Sequence, residues 1–350
     1  MATHVARNPP EPDTHAAAAP PRPPSPGPFP SPMRARSRRG KRLSVVAPAY
    51  NEQAALAFFL VRLETVLAAC AMDYEIVFVN DGSRDATLAV LLAERQRNPR
   101  IKVVDLSRNF GKDIALSAGM DAATGDVVVP IDVDLQDPPE LIAEFINRWE
   151  DGYDVVYGAR ASRRADSRLK RLTAAGFYRV FGALADVAMA PGAGDFRLMD
   201  RSVVEVLKAM PERNRFMKGL FAWVGFRQIG VAYHRPKRVA GASAWRYWKL
   251  WNFALDGLTS FSTVPLRVWT YVGGATAFAA FAYAFFLIAQ TVIHGRDVPG
   301  YASLMVAVLM SFGLQMLAIG IVGEYLGRVF QEVKRRPLYV ARERYGFEDV

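Results

Sequence analysis

Residues 268–293 carry no charged side chain, and neither do residues 298–323; only His294, Gly295, Arg296 and Asp297 lie between the two runs. Each run exceeds the roughly 20 residues an α-helix needs to cross about 30 Å of hydrocarbon. Runs of this length favour two membrane spans over two buried helices of a soluble core. Arg267 precedes the first run, and Arg328, Lys334, Arg335 and Arg336 follow the second. Positive-inside bias then places both ends of the pair, and everything N-terminal to it, in the cytoplasm. Gly273, Gly274, Gly313, Gly320, Gly323 and Gly327 are expected to allow close helix packing. Glu324 is expected to find a partner in Arg328. Just ahead of the pair, Trp245, Tyr247, Trp248, Trp251 and Phe253 recur with Leu250, Leu255 and Leu258 at a spacing that suits a helix in the membrane interface.

The chain before 240 is of another kind. Apolar, β-branched runs at 43–48, 74–80, 101–107, 127–131 and 154–158 alternate with helical patterns at about 52–69, 85–97, 112–123 and 138–150. Strands separated by single helices predict an α/β fold, a Rossmann-like, mostly parallel sheet with helices on both faces. A helix over roughly 165–185 and a strand pair near 195–200 and 226–235 complete the reading. In such sheets ligands bind beyond the C-terminal strand ends. Four stretches fall there: Pro48 to Glu52, Asp81 to Ser83, Arg108 to Lys112, and Asp132 to Gln136. Ser83 or Asp85 is expected to cap the second helix.

The fourth stretch carries the chemistry. In DVVVPIDVDLQD (126–137) an apolar strand runs straight into three carboxylates. Asp132 and Asp134 point to one side if the chain stays extended. Two carboxylates with the amide of Gln136 suit a hard divalent cation that keeps waters and bridges phosphates. Asp137 reads as the cap of a helix starting at Pro138. The section 159–235 is rich in basic residues; Arg163, Arg164, Arg168 and Lys170 read as solvated or headgroup-facing surface. Asp195 there reads as functional or as a partner of Arg197. Tyr50 also admits a plain packing role.

Net charge is +10, yet residues 1–42 hold eight basic and two acidic residues, so most of the surplus sits on a tail. This argues against a nucleic-acid partner. The tail also holds eleven of the 22 prolines and reads as disordered, its basic end free to rest on lipid headgroups. It lacks the apolar stretch of a secretory signal. Cys70 is the sole cysteine, so an intrachain disulfide or cysteine metal site is excluded. Cys70 and His234 read as structural.

APAYNE (47–52), FVNDGSRDAT (78–87), LSRNFGKDIAL (106–116), IDVDLQDP (131–138), GDFRLMDR (194–201), MPERNRFMKG (210–219), LWNFALDGLTSFSTVPLR (250–267) and GEYLGR (323–328) follow one another in this chain. In that order, with two terminal spans, they resemble the polyprenyl-phosphate glycosyltransferases of glycosyltransferase family two. Among these the chain looks most like the bactoprenol glucosyltransferases. The resemblance implies a GT-A domain over 43–240, preceded by the tail 1–42. Interfacial helices over 241–267, two transmembrane helices over 268–326 and a cytoplasmic tail over 327–350 would follow. It implies glucose transfer from UDP-glucose to undecaprenyl or another polyprenyl phosphate, inverting, with Mg2+ or Mn2+. The setting would be the cytoplasmic face of a bacterial inner membrane, among membrane lipids, with self-assembly left open.

Residue by residue, the resemblance implies that Pro48, Tyr50 and Glu52 hold the nucleoside. Asp81 would meet the uracil edge with Ser83 nearby. Asp132 and Asp134 would hold the metal, and Gln136 would line the pocket. Lys112 would approach the sugar or diphosphate. Arg160, Arg171 and Arg238 would receive the acceptor phosphate or donor diphosphate, and Asp195 would stand near the reacting centre with Asp134 and Gln136. In one departure, relatives commonly carry a lysine where this chain has Ala244. Either Arg246 or Lys249 supplies that charge, or the acceptor is held more weakly. Aminoarabinose, N-acetylhexosamine or mannose donors would use much the same motifs. An inactive scaffold or lipid-carrier transport component is the alternative outside catalysis; a polysaccharide synthase is disfavoured by the missing acceptor-side motif and too few spans.

Overall fold

A computed structural model describes residues 34–160, 193–210, 212–213, 215–234, 262, 264–294 and 300–347. The first strands are apolar on both faces, so they pack as interior strands of a layered sheet. β1 (Arg42–Ala49) lies between β2 (Asp73–Asn80) and β4 (Val127–Pro130), parallel to both, and β2 is parallel to β3 (Ile101–Leu106). β5 (Val155–Arg160), β6 (Ala193–Asp200), β7 (Gln228–Tyr233) and β8 (Ala341–Tyr345) complete an eight-stranded sheet in the order β7-β5-β6-β4-β1-β2-β3-β8. β6 runs antiparallel to β4 and β5, and β8 antiparallel to β3. The sheet is therefore mixed. The two strands expected to pair near 195–200 and 226–235 instead flank β5 on opposite sides, β7 being parallel to it.

Helices cover both faces. α1 (Gln53–Ala69), α2 (Thr87–Arg97) and α4 (Leu141–Glu150) cover one side, where Phe59, Phe78, Phe145 and Phe196 form the centre of the core. α4 shows why: Ile142, Phe145, Ile146 and Trp149 recur at helical spacing and are all buried. α3 (Lys112–Ala122), α5 (Arg201–Ala209) and α6 (Met217–Trp223) cover the other side around Val46, Val79, Met120, Met199 and Phe221. α3 sits so close to the sheet that a Cβ on Gly119 would lie 2.3 Å from Val46 Cγ1 and 3.0 Å from Val79 Cγ2.

α7 (Val264–His294) and α8 (Tyr301–Val333) are the apolar pair. Leu266–Ile293 and Ser303–Val333 are long and apolar enough to cross a membrane, and neither is buried within the protein. The Glu324–Arg328 ion pair forms at 3.0 Å, as expected. The glycines do not pack helix against helix: an added Cβ at Gly273, Gly274, Gly313, Gly320, Gly323 or Gly327 would meet nothing within 4 Å.

The described parts of both expected tails are engaged with the domain. At the front, Arg36 pairs with Asp154 and Arg38 with Glu150, so these two basic side chains are spent on the domain rather than left for lipid. At the rear, α8 continues to Val333, and residues 341–345 enter the sheet as β8 instead of trailing free. Tyr339 donates to Asp121 of α3, and Arg342 donates to the Ser107 carbonyl. The expected helix near 165–185 and the interfacial aromatic segment lie outside the described residues.

Replacing Gly119 with valine should overpack the α3–sheet seam and lower stability by about 1–3 kcal/mol. A thermal melt of the full chain in detergent, compared with wild type, measures this.

Candidate active site

β1, β2, β3 and β4 all end at one edge of the sheet, and β6 begins there. The turns at this edge are tied to one another. Asn51, at a φ of 55°, donates its backbone N–H to Ser83 Oγ, and its Oδ1 accepts from Arg84 N–H. Glu52 N–H donates to Thr87 Oγ1. Asp85, one of the two expected caps, accepts from Thr87 N–H at 3.0 Å. The helix, however, begins at Thr87 with Ala86 as its N-cap and without a side-chain cap bond, so neither Ser83 nor Asp85 takes that place. Tyr50 is exposed above this turn and Pro48 is half-buried.

Asp81 is buried at 3% exposure and accepts N–H groups of Phe110 at 2.7 Å and Gly111 at 3.0 Å. Burial pushes its carboxyl up, against those two donors and Arg108. Gly82 makes the contact possible, because with its φ of 63° a side chain there would collide with Arg108 carbonyl carbon at 2.3 Å. Asp81 thus fixes the loop that leads into Lys112.

Lys112 opens α3, and its Nζ lies 2.8 Å from Asp132 Oδ2 and 2.8 Å from Asp195 Oδ2. Asp132 comes from the turn after β4 and Asp195 from the start of β6, so this ammonium joins three segments distant in sequence. Burial opposes the charge on Lys112, but Asp195 and then Asp132 raise its pKa. Burial likewise opposes ionisation of Asp195, but Lys112, Lys218 and Arg197 outweigh it and hold the carboxyl below the usual range. Asp195 Oδ1 is buried with no hydrogen-bond partner among the described residues. Asp113 is pushed up to about 7 by burial and then by Asp195, while Lys112, Lys218 and the Met217 N–H hold it down.

The chain does not stay extended past β4. It turns at Val133–Asp134, and Leu135 takes a φ of 58° with its side chain buried. A left-handed leucine is a strained conformation that the surrounding packing must enforce. Asp134, 6% exposed, accepts from Gln136 N–H at 3.1 Å, while Asp132 turns to Lys112. Among the described residues no group of three or more His, Cys, Asp or Glu side chains could hold a metal. Asp137 does not cap a helix. The helix begins later, at Leu141, and buried Asp137 accepts the hydroxyl of Tyr233. Burial and Asp137 raise the pKa of that phenol, and Arg160 moderates it. Arg160 ends β5 beside Tyr233 in the β7 register, with its Nε buried and without a hydrogen-bond partner among the described residues.

The structure therefore brings Lys112, Asp132 and Asp195 into contact and sets Asp134 and Gln136 on the adjoining turn. Pro48, Tyr50, Glu52, Asp81 and Ser83 lie on neighbouring turns of the same edge. Arg171, Arg238 and Ala244 lie outside the described residues. Arg197, expected only as a partner of Asp195, joins the site, and so do Asp113, Lys218 and Tyr233, which the sequence reading did not single out. For Arg197 the signal was its i+2 spacing from Asp195 on a strand, and for Lys218 its place in MPERNRFMKG; Tyr233 left none.

The fold is of GT-A architecture, a mixed α/β sheet with its acidic residues gathered at one edge. The chain belongs to glycosyltransferase family 2: the Glycosyl transferase family 2 model matches residues 44–207, and the GtrB C-terminal hairpin model matches residues 264–329. An uncharacterized glycosyltransferase of Synechocystis is 55% identical over 306 residues, 87% of this chain and 96% of its own length. A prophage bactoprenol glucosyl transferase homolog of Escherichia coli K12 is 46% identical over 301 residues, 86% of this chain and 98% of its own. The bactoprenol glucosyl transferase of Shigella phage SfII is 46% identical over 302 residues, again 86% and 98%. Mannosyl-3-phosphoglycerate synthase from Rubrobacter xylanophilus is a distant structural likeness, with a TM-score of 0.43 at 18% identity over 75% of this chain and 78% of its own.

A carboxyl raised to about 7 in the fold favours the folded state fully below its unfolded value of about 4 and loses that contribution as pH rises through 7. Asp113→Asn keeps an acceptor for Met217 N–H but cannot ionise. Melts at pH 5 and pH 8 should show the variant gaining on wild type at the higher pH; equal gains at both would contradict the assignment.

Proposed function

We propose that the enzyme transfers glucose from UDP-glucose to the phosphate of undecaprenyl phosphate, at the cytoplasmic face of the bacterial inner membrane. The observation that carries this reading is the near full-length 46% identity to proteins named bactoprenol glucosyl transferase. The charged cluster at the sheet edge supports it. In this reading the nucleoside rests on Pro48, Tyr50 and Glu52, with Asp81 and Ser83 bounding the base. Both ends of the α7–α8 hairpin face the cytoplasm.

Asp132, Asp134 and Gln136 fit a hard divalent cation, Mg2+ or Mn2+. All three offer oxygen, none offers sulfur or imidazole, and two carboxylates leave positions for water and the donor diphosphate. When bound, the cation would offset the negative charge that develops on the departing nucleoside diphosphate. Lys112 adds a second positive charge to the same region. Arg160, with Arg171 and Arg238, receives phosphate oxygens through the forked geometry of guanidinium groups.

The attacking atom is a phosphate oxygen of the lipid. A phosphate monoester has its second pKa near about 6, so it arrives largely dianionic and needs little help from a general base. Asp195 suits that demand: paired with Lys112 and held below the usual carboxyl range, it is a poor proton acceptor. Its part is to orient Lys112 and to balance charge. In-line displacement inverts the anomeric centre, giving a β-linked product from an α-linked donor. The hairpin and the segment 241–267 keep the lipid headgroup beside the pocket, so positioning supplies much of the rate. Other nucleotide sugars form the second reading, since these residues contact phosphate and metal rather than sugar hydroxyls.

Radiolabelled UDP-glucose, UDP-N-acetylglucosamine, UDP-aminoarabinose and GDP-mannose, each with undecaprenyl phosphate and Mg2+ or Mn2+, decide between the readings. Labelled lipid should form from UDP-glucose. Formation from another sugar alone replaces the donor, and formation from none overturns the function. Asp134→Ala should cost at least about 100-fold in turnover with metal present, on the scale of losing charge stabilisation at a leaving group. Removing residues 268–326 should abolish use of the long-chain acceptor in membranes; retained use would mean the hairpin serves another purpose.

A further inference from the structure

Arg197 is 3% exposed and lies on the face of β6 that carries Met199 toward Phe221. A guanidinium does not release its proton in a protein. The fold therefore holds a fixed positive charge inside an apolar layer, which is costly unless that charge is compensated. The compensation has three parts. Nη2 donates to the Gly194 carbonyl at 2.6 Å. Cζ stacks 3.7 Å from the ring centre of Phe221. The third is the carboxylate of Asp195, which opposes the downward pull of burial on the guanidinium ahead of Tyr157. Nε is buried with no hydrogen-bond partner among the described residues.

Asp195 and Arg197 are two residues apart on a strand and so share a side of it. The carbonyl that Arg197 holds belongs to the peptide that introduces Asp195. The charged groups around Asp195 are Lys112 and Asp113 from α3, Lys218 from α6 and Arg197 from its own strand; Tyr157 of β5 faces Arg197. Lys112 meets the carboxylate from the open side of the site, where its side chain is 43% exposed. Arg197 stands on the closed side.

We propose that Arg197 is a positioning residue for Asp195. It fixes the Gly194–Asp195 peptide through the Gly194 carbonyl and places a permanent charge behind the carboxylate, so that Asp195 holds Lys112 in place for the phosphate-bearing substrates. This rests on the reading of Asp195 given above. Arg197 touches no substrate; it acts through Asp195.

The test uses full-length enzyme in detergent with undecaprenyl phosphate and the nucleotide sugar that wild type turns over. Arg197→Met should lower kcat at least about 30-fold while the donor KM moves less than about threefold, the pattern of an interaction lost in the transition state rather than in binding. Arg197→Lys, which restores the charge, should return kcat to within about fivefold of wild type. If Arg197→Met fails to fold, Arg197→Lys still decides: folded but as slow as Asp195→Asn, it overturns the proposal. Wild-type kcat in Arg197→Met also overturns it, as does a loss carried by KM alone. Asp195→Asn separates the two layers. Full activity there removes the reading of Asp195 and this inference with it. Lost activity there with full activity in Arg197→Met leaves Asp195 in place and removes only Arg197.

Discussion

The site is held together by one ammonium group. Lys112 Nζ reaches Asp132 and Asp195 at the same distance, 2.8 Å. Without it, carboxylates arriving from the turn after β4 and from the start of β6 would repel each other across the rim of the sheet. Everything that fixes Lys112 therefore fixes the site. Asp81 fastens the loop before α3, Gly119 seats α3 against β1 and β2, and Tyr339 holds its far end through Asp121. The electrostatics follow the same centre. Asp195 is held ionised by the cations around it, whereas Asp113, one position along from Lys112 and facing Asp195, is pushed toward its neutral form. Two acids on one small charged patch are thus driven in opposite directions by what lies nearest to them.

The parts of the fold written in local pattern were legible. The β-branched runs and their helical spacers fell within a few residues of the observed elements, because both sheet faces are buried and each strand had to be continuously apolar. The stretch ending in Asp132 and Asp134 announced itself for a related reason: acids directly after a buried strand need a partner. Strand direction was not legible. Nothing in GDFRLMDR states that β6 runs against β4 and β5. Asp137 was misread because Asp-Pro-Pro resembles a helix start, while its partner, Tyr233, lies 96 residues away. Arg36 and Arg38 were assigned to a tail because proline density dominates the first 42 residues, and composition averages hide a few side chains that find carboxylates across the domain.

A similar lesson attaches to the glycines of the apolar helices. Their sequence spacing invited close packing, yet the space beside each is open in a single chain. Small residues permit close approach but do not compel it; the partner surface decides. By contrast, Glu324 and Arg328 met as expected, since the four-residue step on a helix brings side chains together without help from any other element.

The two outermost strands of the sheet, β7 and β8, come from opposite sides of the hairpin in the chain. β3 acquires its outer neighbour only after the 31 residues of α7 and the 33 residues of α8 have been synthesised. During translation the sheet therefore waits, one flank unpaired, until β8 leaves the ribosome. An unpaired strand flank is a site for wrong partners. The order of the chain thus makes completion of the sheet a late event, one that follows the synthesis of the apolar helices rather than preceding it.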